Sequence, residues 1–135
     1  MTHSAVDPLS QAGTTNALTL ARERFRYLTA IGIQGKRDIP GPAIDPDDVA
    51  EALQALSLCR HTKRPSIHSS ELRRAVSRRA GRTVSTGSVI AAAVGLGFTV
   101  RGWYGVRAFY PGAIVNVHRA DVRMRLVGSA APCQT

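Results

Sequence analysis

Residues 69–95 read SSELRRAVSRRAGRTVSTGSVIAAAVG, and this stretch decides the fold. Its first half carries Leu72, Ala75, Val76 and Ala80 on one helical face, with Arg73, Arg74, Arg78 and Arg79 around the rest. Ser69 or Ser70 stands where an N-cap belongs, and Gly81 supplies a left-handed stop. The turn Arg82-Thr83-Val84-Ser85 follows, and Ser85 caps a second helix that ends at Gly95 or Gly97. Val89, Ala93 and Leu96 form the buried face of that helix, with Ile90 and Val94 beside them.

Working outward, Asp45 reads as the N-cap of an upstream helix. Pro46 suits its first position, and Asp47 and Asp48 suit the positive end of its dipole. The stripe Val49, Leu53, Leu56 carries that helix to about Cys59. Lys63-Arg64-Pro65 ends it, and Ser66-Ile67-His68 is a short extended piece. Downstream of Gly97 the period changes to two. Residues 98–101, 106–109 and 114–118 read as strands, with 102–105 and Pro111-Gly112 as alternative hairpin tips. Residues 121–127 form either a short last helix or part of a tail.

Toward the N-terminus, residues 1–14 are polar, without period, and read as disordered. Leu18, Ala21, Phe25 and Leu28 predict a helix over 16–31, stopped by Gly32 and Gly35. The organisation is a tail (1–14), a helix and linker (15–44), one main domain (45–120) and a C-terminal tail (121–135). The fold class is α+β, mainly helical.

Charge divides the chain. The net charge is +9, but residues 1–59 hold five basic against seven acidic residues, and residues 60–125 hold thirteen basic against two acidic. Codon bias accounts for arginine over lysine. It does not account for one acidic part and one basic part, which points to a polyanionic partner.

Residues 45–118 resemble a winged helix-turn-helix domain in the order helix, short strand, helix, tight turn, helix, hairpin. The resemblance rests on Ser70-Glu71-Leu72-Arg73, Gly81, Val84-Ser85, Val89-Ile90-Ala91-Ala92 and Leu96-Gly97-Phe98. It implies that Val84 plugs the two helices together. It also implies that the helix after Ser85 enters the major groove of double-stranded DNA while the hairpin lies along the backbone or minor groove. The candidate contacts are Lys63, Arg64, Arg73, Arg74, Arg78, Arg79, Arg82, Thr83, Ser85, Thr86, Ser88, Arg101, Trp103, Tyr104 and Arg107. A helix N-terminus also offers its amides to a phosphate.

The outward face of the second helix departs from that pattern. Thr86, Ser88, Ala91, Ala92 and Gly95 include no side chain able to make a bidentate base contact. Either specificity rests on Arg82 and the hairpin, or the small residues mark a close contact between the helix and the protein itself.

The reading is therefore a non-catalytic DNA-binding protein that regulates transcription. The alternatives are an excisionase-like or other accessory DNA-binding factor, and an RNA- or protein-binding module that uses the fold as scaffold. Cys59, His61 and His68 lack a fourth ligand and the paired spacing of a zinc site. No phosphate-binding loop, nucleophile elbow or carboxylate pair is legible, so no enzyme activity, cofactor or small-molecule ligand is expected. No signal peptide or membrane-spanning stretch is legible, and the expected location is cytoplasmic, on the nucleoid. The N-terminal helix either covers the back of the domain or forms a homodimer.

Overall fold

The structure is a computed structural model that describes residues 11–26, 28–33, 42–103 and 112–127. It is mainly helical with small sheets, an α+β arrangement around one core.

Helix α1 (Gln11–Arg24) begins earlier and ends sooner than the periodicity predicts. Residues 11–14, read as tail, lie within it. Leu28, read as the last helical contact, instead starts β1 (Leu28–Thr29), which pairs antiparallel with β2 (Gly32–Ile33). Leu28 remains buried in both readings, so its spacing alone misplaced the helix end.

Helix α2 (Pro46–Leu56) forms as its caps dictate. The Asp45 carboxylate accepts the Asp47 amide at 2.9 Å, and Pro46 occupies the first turn. Strand β3 (Ile67–His68) leads into α3 (Ser69–Ala80). The N-cap of α3 is His68, not a serine: its Nδ1 accepts the Ser70 amide at 3.1 Å. Ser69 is buried inside the first turn, where its hydroxyl accepts the Ala113 amide at 3.0 Å. Gly81 ends α3 in the left-handed conformation, as expected.

Helix α4 (Thr86–Gly95) is capped by Ser85, whose hydroxyl accepts the Ser88 amide at 3.3 Å. Val84 in the preceding turn is fully buried. Its amide donates to the Ser77 hydroxyl at 2.9 Å, which fixes the turn against α3.

Strands β4 (Val100–Trp103) and β5 (Gly112–Val115) pair antiparallel, and β3 adds to the other side of β5, giving the order β3-β5-β4. Val115 sits opposite both Ile67 and Val100, an apolar row facing the helices. Gly102 and Trp103 belong to the ladder, paired with Ala113 and Gly112, so 102–105 is not a turn throughout. The strand expected at 106–109 and both Tyr104 and Arg107 lie outside the described residues.

Of the two readings of residues 121–127, a short last helix or a tail, the structure has the helical one. A short α5 (Arg119–Asp121) runs into a π-helical turn, Val122–Val127, and Val122 and Leu126 are buried in the core.

Candidate nucleic-acid interface

The two helices joined by the turn at residues 82–85 meet very different surroundings. On α3 only Ser69, Leu72, Ala75 and Val76 are buried, one stripe of an amphipathic helix. On α4 every residue from 87 to 93 is buried.

The cover over α4 comes from the N-terminal elements. A Cβ placed on Gly95 would lie 2.5 Å from the Ala17 Cβ of α1, and one on Gly87 only 1.8 Å from the Thr29 carbonyl oxygen. Any side chain at either position would force its neighbour to shift. The Gly87 amide donates to the Ala30 carbonyl at 2.9 Å, so the start of α4 is bonded to the β1–β2 ribbon. Of the two alternatives left by the small residues of this helix, the structure has the second, a close internal contact. Ser88, taken as a contact residue, is fully buried and hydrogen-bonded to Ser85 at 2.6 Å. Ser85 and Thr86 are half-buried beside it.

Arg82 is also differently employed. Its guanidinium is hydrogen-bonded and ion-paired with Asp48 of α2, a buried carboxylate whose second oxygen accepts the Ser85 amide at 3.3 Å. That hydrogen bond pushes the Arg82 pKa up from its ordinary value. Arg82 thus fastens the turn to α2, and its charge is already matched.

The remaining arginines of α3 are unmatched. Among the described residues Arg73, Arg74, Arg78 and Arg79 form no ion pair, and Arg74 and Arg78 are exposed. Arg73, Arg74 and Arg78 line a groove of about 580 Å³ together with Val122, Arg123 and Val127 of the C-terminal turn. Arg82 and Thr83 reach its end. Glu71, the carboxylate in this lining, is bound to Arg119 at 2.6 Å. Arg123 has no ion-pair partner among the described residues.

The turn that carries Arg123 is held from two sides. Arg119 ties its beginning to Glu71 on α3. Asp121 accepts from the Arg60 side chain at 3.0 Å and from the Arg60 amide at 2.8 Å. Those bonds hold the Asp121 carboxyl at about 2, below the usual value of 3.8.

Other candidate contacts lie elsewhere. Lys63 and Arg64 are exposed in the loop before β3, and Arg101 is exposed on β4 opposite Ile114. Trp103 closes β4. His61 stacks on Phe98, with ring centroids 3.8 Å apart. Cys59 is buried, which pushes its thiol up to about 11. No group of three His, Cys, Asp or Glu gathers among the described residues. Sequence reasoning missed Arg123. The signal was present, because Val122 and Leu126 are spaced as one helical face with Arg123 and Arg125 off it.

Comparison with known protein families, with curated proteins and with solved structures gives no significant match.

Proposed function

We propose that this chain is a non-catalytic double-stranded DNA-binding protein of winged helix-turn-helix type, contacting mainly the phosphate backbone. The observation that carries the reading is the set of α3 arginines beside Arg123 that have no carboxylate partner among the described residues. A row of guanidiniums without ion-pair partners among the described residues, on a half of the chain with a large positive excess, is what a polyanion requires. The element order α2-β3-α3-α4-β4-β5 and the sheet order β3-β5-β4 support the winged-helix part.

Burial of α4 favours an accessory or architectural role over a regulator that reads one operator. A helix sealed on all sides between residues 87 and 93 has no side chain to offer base edges. The test is a fluorescence-anisotropy titration of labelled duplex by the whole chain. With four phosphate contacts, affinity falls about a hundredfold between roughly 50 and 200 mM salt. No binding at the lowest salt, or binding indifferent to salt, overturns the reading. Gel shifts on circularly permuted duplexes then measure bending, which an architectural factor produces and a simple repressor need not.

A further inference from the structure

We infer that the groove between α3 and the C-terminal turn grips one sugar-phosphate strand of duplex DNA independently of its sequence, with Arg123 as its second wall. This rests on the DNA-binding reading above and assigns it a site that is not the helix expected to enter the major groove.

The lining has the chemistry of that ligand. Arg73, Arg74 and Arg78 come from α3, and Arg123 comes from the opposite element. Val127, half-buried, contributes apolar surface to the lining, backed by the buried Ala75 and Val122. A sugar-phosphate strand has the complementary character, anionic oxygens alternating with apolar deoxyribose. Guanidinium is also the side-chain group best shaped for bidentate phosphate contact.

The spacing fits as well. Arg74 and Arg78 are one helical turn apart, a rise of about 6 Å. That separation lets the two guanidiniums meet neighbouring phosphates of one strand. Competing carboxylates are already engaged, Glu71 by Arg119 and Asp48 by Arg82. A phosphate therefore meets uncompensated charge.

The second wall is preorganised. Arg119–Glu71 and Arg60–Asp121 pin α5 at the start of the turn, and Val122 and Leu126 anchor it in the core. The π-helical winding turns Arg123, Met124 and Arg125 outward while those two apolar residues stay inside. Such wide turns recur at functional sites. A wall fixed in advance loses little entropy when the strand arrives.

The experiment compares the whole chain with R74A/R78A, R123A and the charge control R22A, on two duplexes of unrelated sequence and an RNA hairpin. Arg22 is exposed on α1, away from the groove lining, so R22A removes one positive charge without touching it. Circular dichroism and thermal melting confirm that each variant folds. R74A/R78A is expected to lose affinity about a hundredfold and R123A about tenfold, equally on both duplexes. The salt slope should drop by about 0.9 per arginine removed, and R22A should titrate as the unmodified chain. Groove variants that bind like the unmodified chain overturn the inference while leaving DNA binding intact. A strong preference for one duplex overturns sequence independence, and displacement of duplex by the RNA hairpin overturns duplex as the ligand. Failure of the unmodified chain to bind any duplex overturns the underlying reading as well.

Discussion

Helices α3 and α4 are neighbours in sequence and almost equal in length, yet they solve opposite problems. α3 carries one buried stripe and four arginines, and it depends on the core along a single face. α4 is apolar or small nearly all round and is enclosed by α1, α2 and the β1–β2 ribbon. A helix that is apolar all round is a core element. The teaching is that order along the chain does not decide which of two helices joined by a tight turn stays open to solvent. Side-chain size and charge decide it.

The sharpest way to break the contrast is to crowd α4. Gly87→Ala drives a methyl into the Thr29 carbonyl, which is backbone and cannot swing away. We expect a loss of about 3 kcal/mol in urea unfolding. Gly95→Ala meets the Cβ and the backbone Cα of Ala17, a lesser overlap than at Gly87, and should cost less, about 1–2 kcal/mol, because alanine also favours the helix. If both variants were as stable as the parent chain, α4 would not be sealed by the N-terminal elements.

A smaller effect should separate the C-terminal turn from a loose tail. The Asp121 pKa is depressed in the folded state to about 2, so its stabilising contribution is complete above the usual value of 3.8. The contribution is lost as pH falls from about 4 through about 2. Asp121→Asn should lower the melting temperature at neutral pH and flatten the acid limb of the stability curve. Parallel acid limbs for the two proteins would remove Asp121 as the anchor.

The smallest effect is expected on α3. Arg78→Gln alters an exposed side chain without an ion-pair partner among the described residues. Its unfolding free energy should stay within about 0.5 kcal/mol of the parent chain. A large destabilisation would mean that the α3 arginines serve the fold and not a ligand.

The elements from α2 to α4 were legible in the residues because local chemistry specifies them. Asp45, Gly81 and Ser85 cap or stop their helices, and Val84 plugs the turn, as the sequence implies. What escaped was tertiary. Leu28 fits a helical stripe and a buried strand equally well, so the end of α1 was misplaced. The small residues of α4 were compatible with a DNA face or a protein contact, and only the arrival of Ala17 and Thr29 chose between them. Arg82 is matched by Asp48, 34 positions earlier, a pairing no local pattern encodes. The charge of α3 was readable as such. The groove was not, because its far wall comes from residues 122–127, which the pattern left open between a short helix and a tail.

The enclosure of α4 also has a kinetic side. The α1 end of the molecule is tied in by bonds such as that from the Arg24 guanidinium to the Val100 carbonyl, 76 positions on, at 2.9 Å. During synthesis the first helix emerges long before the helix and strand it must rest on. Its buried side is made of Thr14, Ala17 and Ala21, small side chains, with Leu18 half-buried beside them. On its packing side such a waiting segment presents Leu18 as its one large apolar side chain. The same small side chains that let α1 lie close against α4 therefore lower its hazard while it has no partner.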